Sequence, residues 1–411
     1  MNTSGLVGEK KSFSKAFDYS IKGLLIGIVI TLPLTPKLGS LFIVLLGLVG
    51  LTNSIRLKGL ISPPVMFYFL MSLYLVRVLW LVRASDIAYG LKSLETEAPL
   101  LIIPLLFATF YLTGEAKTLV LRTYVLMALS IIVFSFFNLL HSVSGSELNW
   151  VEYFRLYLTN RKQSSESSML TWKFAHPTFL SIMIIYALQI MLFFRRAFMK
   201  TSVIIIFSVL SGIFILLAGT KLGLIIYLLT FIVYFIARIQ NFTFSKNFFQ
   251  LLFIPVIVLI LMMLGLSKNV NLAEIDPVRP GYMIKAINAF KKEPLIGYGT
   301  GSTKEIVKDI EMEKVGYRVN HPHNQILTDL VQFGIIGTIP LLLFILSSFK
   351  WAIITQNWLL LMVVLTFSIL MLTESPINSN KGIVPFVVIL CLIGFDRIDS
   401  YHSGLSKTKN T

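Results

Sequence analysis

The chain has 411 residues, of which 55% are hydrophobic and 14% are charged, whereas a typical soluble domain carries about 25% charged residues. This composition excludes an ordinary soluble domain and predicts a protein that crosses a membrane many times. The net charge of +16 does not indicate a nucleic-acid partner, because basic residues collect at the cytoplasmic ends of membrane spans and no nucleic-acid-binding motif appears. The single cysteine, Cys391, excludes a disulfide framework and a thiolate metal site.

Apolar runs of about 17–25 residues are long enough to cross the bilayer as helices, and the sequence contains twelve of them. We therefore predict an all-α, polytopic membrane protein in which residues 1–411 form a single integral membrane domain. The predicted spans are 20–36, 38–54, 60–82, 97–113, 118–140, 176–194, 202–219, 222–238, 248–267, 325–348, 351–373 and 382–397. The first run is polar and basic on its N-terminal side and has no small-residue cleavage site after it, so it is predicted to be an uncleaved span rather than a signal peptide.

Lysine and arginine in the short loops set the predicted orientation. Loops such as the one with Arg56 and Lys58 belong in the cytoplasm by the positive-inside rule. Both termini are then cytoplasmic, as the even number of spans requires. Three longer segments face the outside, and they comprise residues 83–96, 141–175 and 268–324.

The long outer loop of residues 268–324 holds the largest set of residues suited to chemistry. A helical pattern covers residues 279–292, and its apolar stripe is predicted to consist of Tyr282, Ile284, Ile287 and Phe290. Pro294 ends this helix, a glycine-rich turn follows, and a second, more charged helix is predicted from 302 to 315. The turn, GYGTG, resembles a phosphate-cradling loop only loosely, because no strand precedes it.

Arg279 lies just outside the membrane, in a loop that also contains Lys285, Lys291, Lys292 and Arg318. A guanidinium stays charged and forms two parallel hydrogen bonds with phosphate. One interpretation is therefore recognition of a phosphate or pyrophosphate at the membrane surface. The other is non-specific contact with lipid headgroups.

The sequence NHPHN places His321 and His323 directly before the tenth predicted span. Imidazole titrates near neutral pH and can accept or relay a proton, and Asn324 can orient a neighbour by hydrogen bonding. A plain interfacial role is the alternative for both histidines. The spacing also suits a metal ion, but no carboxylate pair or further histidine lies at a useful distance in sequence, so no metal site is expected.

Four further charged residues are candidates for the site, and two of them allow two interpretations each. Lys221 either reaches to the interface, as lysines at span ends do, or faces an active cavity. Asp329, about one turn inside the tenth span, either pairs with a basic residue of another helix or orients His323. Glu374 and Lys381 flank the last outer loop and are placed to line the same cavity.

Taken together, these features resemble the O-antigen ligase family, membrane glycosyltransferases that share a fold with O-antigen polymerases. The resemblance covers nearly the whole chain in topology and is closest across 279–337. The family pattern is an Arg, a helix, a Pro-Leu-Ile-Gly-x-Gly-like turn, a His-Asn pair and a Gly-Ile-Ile-Gly-like helix. This chain supplies Arg279, Pro294–Gly299, His323–Asn324 and Gly334–Gly337.

The resemblance implies transfer of a glycan from undecaprenyl pyrophosphate to a sugar hydroxyl of lipid A–core, at the periplasmic face of the bacterial inner membrane. It implies His323 and Arg279 as catalytic residues, with His323 acting on the acceptor and Arg279 on the pyrophosphate. His321, Asn324, Arg318, Tyr282 and Lys221 are assigned to substrate binding. Family members often carry an arginine where this chain has Lys221, which keeps the charge but loses the bidentate fork. The expected partners are these two substrates and membrane lipids, and no cofactor or metal is expected, because the donor is already activated.

Three alternatives stay open at this point. The first is an O-antigen or capsule polymerase that uses the same donor, and Arg155 and Arg161 in the outer segment 141–175 suit it. The second is a protein O-oligosaccharyltransferase. The third is a polysaccharide transporter, which is disfavoured because the charges inside spans are few, chiefly Arg77 and Asp329, and the chain shows no repeated halves.

Overall fold

The structure, a computed structural model, describes residues 3–34, 36–57, 61–144, 177–194, 200–240, 279–307 and 321–395. These residues form α-helices and two short 3₁₀ helices, without a strand, so the all-α prediction is confirmed for this part of the chain. The α-helices are α1 (Thr3–Thr31), α2 (Pro36–Leu57), α3 (Val65–Trp80), α4 (Ile87–Glu97), α5 (Pro99–Phe107), α6 (Gly114–Ser144), α7 (Pro177–Phe193), α8 (Thr201–Leu217), α9 (Lys221–Gln240), α10 (Arg279–Lys292), α11 (Thr303–Val307), α12 (Gln325–Ile354), α13 (Trp358–Thr373) and α14 (Asn380–Gly394). The 3₁₀ helices are Leu81–Arg83 and Pro376–Asn378. The predicted span 248–267, most of the outer segment 141–175 and Arg318 lie outside the described residues.

Among the described residues, five helices are long and apolar enough to cross a membrane, and they are α2, α3, α6, α9 and α12. Four shorter apolar helices accompany them, namely α7, α8, α13 and α14. Many large apolar side chains on these helices point outward, as Leu41, Leu48, Ile232 and Leu346 do. Contiguous apolar surface of this kind fits a lipid environment. A membrane protein is thus supported, while the count of twelve spans stays a prediction.

The predicted span at 97–113 takes a different form in the structure. A short helix, α5, runs only from Pro99 to Phe107, which corresponds to about 14 Å at 1.5 Å per residue. Two hydrogen bonds from other parts of the chain help to end it, because Ile61 N, before α3, donates to Ala108 O and Asn53 Nδ2 of α2 donates to Thr109 O. These two backbone carbonyls accept hydrogen bonds from donors outside the helix, and not from the N–H groups of a further helical turn.

The centre of the bundle is α7. Nearly every side chain from Thr178 to Leu192 is buried, as expected for a helix that is apolar all round. Its one amide, Gln189, donates to Thr230 Oγ1 of α9 at 3.2 Å and to Thr366 Oγ1 of α13 at 2.7 Å. α7 packs against α6, α8, α9, α13 and α14, which accounts for its burial on all sides.

A break divides α12 at Gly334, whose φ of 63° and ψ of −169° are not helical. The glycine-rich segment after α10 pairs with the backbone groups that the break leaves free. Tyr298 N and Gly299 N donate to Val331 O and Gln332 O, while Ile335 N and Ile336 N donate to Pro294 O and Leu295 O. Irregular backbone inside a membrane span is tolerated only where other protein groups satisfy it.

Glycine is required at this contact on both sides. A Cβ on Gly334 would overlap the backbone of Leu295, and a Cβ on Gly297, which has φ of 63°, would overlap the backbone of Gln332. The segment is also fixed to the end of α3, since Trp80 Nε1 donates to Ile296 O at 2.6 Å and Arg83 Nε to Gly297 O at 3.2 Å. The turn thus packs against helices, and the two glycine motifs of the sequence, 294–299 and 334–337, are one structural unit.

The apolar stripe predicted on α10 is only partly correct. Tyr282 and Ala286 are buried, and Ala289 and Phe290 pack against Leu327 and Val331 of α12. Ile284 and Ile287 are instead exposed. The inward face of α10 therefore consists of Tyr282, Ala286, Ala289 and Phe290.

The ends of several helices meet at one side of the bundle. Lys381, at the start of α14, donates to the carbonyls of Leu32 and Leu34 after α1, and Asn324, before α12, donates to Leu372 O near the end of α13. The sequence assigns these same ends to the outer side of the membrane. That they share one side agrees with the predicted topology, while the side itself stays a prediction.

Candidate functional site

The polar core at this side of the bundle is a cluster of three buried charged residues, Arg77 of α3, Glu97 of α4 and Asp329 of α12. Each is 1% exposed. Arg77 Nη2 donates to Oδ1 and Oδ2 of Asp329, both at 3.0 Å, and Arg77 Nε lies 2.9 Å from Glu97 Oε2. Asp329 therefore pairs with a basic residue of another helix, which is the first of its two predicted interpretations.

Further groups complete the coordination of the Arg77 guanidinium. Its Nη1 donates to Leu73 O at 3.0 Å, and the ring centroid of Phe333 lies 4.9 Å from its central carbon. The backbone carbonyl of Arg77 accepts from Thr300 Oγ1 at 2.6 Å, so the glycine-rich segment reaches the cluster. Charges this deeply buried persist only where ion pairs and hydrogen bonds surround them.

The cluster contains one cation and two carboxylates. Burial and the neighbouring Asp329 carboxylate raise the pKa of Glu97 to about 7, although Arg77 opposes that rise. Glu97 closes α4, outside the five candidate spans. A proton on Glu97 would leave the three side chains with no net charge, which is the favourable state in a medium of low dielectric.

The carboxylates of the cluster are hydrogen-bonded to amides that hold the segment between α13 and α14. Asn378 Nδ2 and Ser93 Oγ each donate to Glu97 Oε1 at 3.1 Å. Gln325 Nε2 donates to Asp329 Oδ1 at 2.8 Å, and Gln325 Oε1 accepts from Ile377 N at 3.0 Å. The 3₁₀ helix Pro376–Asn378 is thereby connected to both acids of the cluster.

At the edge of this network, His323 contacts Glu374. His323 Nδ1 lies 3.1 Å from Glu374 Oε2, and the side chains are 19% and 7% exposed. The carboxylate in contact with His323 is therefore that of Glu374 rather than that of Asp329. His321 lies beside this pair, with a distance of 4.8 Å between the two ring centroids and a nearly perpendicular orientation.

The backbone around His323 is fixed by its neighbours. His323 has φ of 53°, a left-handed conformation that costs a non-glycine residue about 1–3 kcal/mol. Asn324 follows as the N-cap of α12, with its Oδ1 accepting from Leu327 N at 2.9 Å and its Nδ2 donating to Leu372 O at 3.0 Å. Thr328 Oγ1 and Ser375 Oγ, 3.1 Å apart, add a second link between α12 and the segment after α13.

The structure places three further predicted site residues on α9 and α10. Lys221 begins α9 and is exposed, while its neighbour Thr220 donates to Ser181 Oγ at 2.9 Å. Tyr282 is buried on α10, and Arg279 is the first residue of that helix. Sequence reasoning missed Glu97 and Gln325 altogether, and a carboxylate at the first position of the predicted span 97–113 was the available indication for Glu97.

In the part of the chain that the structure describes, no three His, Cys, Asp or Glu side chains are grouped in a way that could hold a metal ion. The groups that can act chemically here are an imidazole with a carboxylate partner and, nearby, a second imidazole. Such a pair can accept a proton from a hydroxyl group.

The fold and the site define an α-helical membrane protein whose polar residues converge on a carboxylate-held histidine at one end of the bundle. Residues 206–342 match the family model described as O-antigen ligase. The resemblance to the O-antigen ligase family is thereby confirmed, and the match supports a function of the ligase or polymerase type. It also supports lipid-linked glycans as the general class of substrate. The comparison with curated proteins gives no significant match.

Proposed function

We propose that this protein is an O-antigen ligase that transfers a glycan from undecaprenyl pyrophosphate to a sugar hydroxyl of lipid A–core at the periplasmic face of the inner membrane. The match to the O-antigen ligase model supports the reaction class. The observation that carries the proposal is the distance of 3.1 Å between His323 Nδ1 and Glu374 Oε2, in a half-buried position.

Glu374 gives His323 the form that a general base needs. An ionised Glu374 accepts a hydrogen bond from Nδ1–H, and this tautomer leaves the lone pair on Nε2. The carboxylate also stabilises the imidazolium that forms when Nε2 takes a proton. His323 is thus prepared to remove the proton of an acceptor hydroxyl, and His321 and Asn324 flank the place where that hydroxyl would bind.

The reaction then needs one substitution at the anomeric carbon of the donor sugar. The acceptor oxygen forms a bond to that carbon as its proton moves to His323 Nε2. The bond from the carbon to the pyrophosphate oxygen breaks, and undecaprenyl pyrophosphate leaves with the electron pair. Attack from the opposite face inverts the configuration at this carbon.

Cationic side chains stabilise the negative charge that develops on the leaving pyrophosphate. We assign this task to Arg279, with Arg318 and Lys221 as further cations. Tyr282, on the same helix as Arg279, is assigned to substrate binding. Lys221 offers a point charge in place of a guanidinium fork. Because the lipid pyrophosphate is already a good leaving group, this mechanism uses no metal ion and no nucleotide.

The test is a lipopolysaccharide gel from a strain that lacks the gene, complemented with the wild type, His323→Ala or His402→Ala. The last variant changes a histidine of the basic C-terminal tail and serves as the matched control. We expect only rough lipopolysaccharide, with long glycan accumulating on the lipid carrier, in the deletion strain and in the His323→Ala strain. The wild type and the control should restore the full pattern.

Two other outcomes decide against this proposal. Core capped by a single repeat unit in the deletion strain would identify a polymerase, for which the outer residues Arg155 and Arg161 are the supporting observation. Full rescue by His323→Ala would show that His323 is not the base.

A further inference from the structure

The buried charge cluster is connected to His323 by an unbroken set of contacts. Arg77 holds both Glu97 and Asp329, at 2.9 and 3.0 Å. Asp329 is joined to Ile377 N through Gln325, and Glu97 is joined to Asn378. Glu374, which contacts His323, lies three residues before Ile377 in the same short segment.

We propose that Arg77, Glu97, Asp329 and Gln325 form a positioning network that fixes Glu374, and through it His323, in the orientation needed for glycosyl transfer. This inference rests on the proposed function and extends it to residues that contact no substrate. Arg77, Glu97 and the segment 374–378 all lie outside the matched stretch 206–342.

The geometry of the segment 374–378 explains why it needs such support. Its one regular element is the 3₁₀ helix Pro376–Asn378, which is three residues long. Short 3₁₀ pieces have poor internal hydrogen bonding. Its position is therefore determined by outside groups, namely Gln325 at Ile377 N, Glu97 at Asn378 Nδ2 and Thr328 at Ser375 Oγ.

Gln325 is the residue through which the network is best tested. Its side chain is fully buried and spans from Asp329 Oδ1 to Ile377 N. Gln189 of α7 is an equally buried glutamine that joins Thr230 and Thr366 in the centre of the bundle. Substitution of either by leucine removes one buried amide by the same change of side chain, so the two variants differ in location and not in the kind of substitution.

The experiment uses the purified full chain in proteoliposomes. The donor is the lipid-linked glycan that accumulates in the deletion strain, and the acceptor is the rough lipopolysaccharide of the same strain. Rates are normalised to folded protein measured by size-exclusion chromatography. We expect Gln325→Leu to lower kcat by about 10- to 100-fold with unchanged KM for both substrates, because a displacement of about 1 Å at a catalytic group has effects of this size. Gln189→Leu should keep the kcat of the wild type.

A second variant protects the test against failure of Gln325→Leu to fold. Asn378→Ala removes the link from Glu97 at a half-buried position and should also lower kcat without changing KM. Equal kcat values for Gln325→Leu, Asn378→Ala and Gln189→Leu would overturn the network. If His323→Ala is inactive while these variants keep the kcat of the wild type, the positioning network is contradicted and the assignment of His323 as the base is retained. If His323→Ala is fully active, the proposed base itself is wrong.

Discussion

The Arg77 cluster and the His323–Glu374 pair lie at the same end of the bundle but differ in burial and in the number of their partners. Every charged group of the cluster is 1% exposed and has at least two polar partners. His323 is 19% exposed in its side chain and has one carboxylate contact. Buried charges with many partners suit the fixing of geometry, whereas a partly open imidazole with one partner remains accessible to a substrate.

This difference predicts that the two regions respond differently to substitution. Changes in the cluster should reduce the free energy of unfolding as well as activity. Changes in the pair should reduce kcat and change the free energy of unfolding less than changes in the cluster do, because His323 is partly exposed. Three measurements test this distinction.

The largest effect is expected for Arg77→Met. The substitution leaves Glu97 and Asp329 buried without their cation, and the loss of one partner from a buried ion pair costs about 3–5 kcal/mol. The thermal unfolding temperature of the purified protein, followed by tryptophan fluorescence in detergent, should fall strongly. The triple variant Arg77→Met/Glu97→Gln/Asp329→Asn should recover part of that loss, because it leaves no unpaired charge. An unfolding temperature equal to that of the wild type in Arg77→Met would contradict the role assigned to the cluster.

Glu374→Gln should have the next largest effect, and on kcat alone. The amide of glutamine can donate to His323 Nδ1, which selects the tautomer with the proton on Nε2 and removes the base. We expect kcat to fall by about 100-fold or more, with KM and the unfolding temperature close to those of the wild type. The assay is the proteoliposome transfer reaction. A kcat within twofold of the wild type would mean that Glu374 does not set the tautomer of His323.

The smallest effect is a dependence of stability on pH that Glu97 contributes. Its pKa is about 7 in the folded protein, compared with an ordinary value of 4.5. Between these values the folded state holds a proton that the unfolded state has released, so the contribution is fully present below pH 4.5, declines as the pH rises and is lost once the pH passes 7. The unfolding temperature of the wild type should therefore fall by a few degrees (about 2 °C per kcal/mol) between pH 5 and pH 8.

Glu97→Gln is the comparison for this measurement, because its amide is neutral at every pH and fits the same space. The part of the pH dependence that comes from Glu97 should be absent in this variant. Identical pH dependence in both proteins would show that Glu97 does not hold a proton in the folded state.

The sequence predicted the helical class and the residues near His323 because those features are local. Helix length is visible in apolar runs, and the Pro294–Gly299 and Gly334–Gly337 motifs are visible as glycine patterns. The family match across 206–342 confirms the resemblance that these motifs indicated. The roles assigned to Arg279, His321, His323 and the other site residues stay predictions.

The contacts of the cluster could not be read from the sequence in the same way. Arg77 and Asp329 are 252 positions apart, and Glu97 lies in a segment with many other charges. Two interpretations of Asp329 were open because no local pattern states which helix packs beside it. The short form of α5 was missed because apolar residues are found both in lipid and inside a protein, and the nine apolar residues of α5, of which five are buried against the bundle, look like half of a span.

The break at Gly334 also constrains how the chain assembles in the bilayer. A newly inserted α12 has its backbone groups paired along one continuous helix, because unpaired groups in hydrocarbon cost several kcal/mol each. Docking of 294–299 exchanges those internal bonds for the bonds from Tyr298, Gly299, Pro294 and Leu295. We therefore expect the bend in α12 to form only when the segment 294–299, which is translated earlier, docks against it.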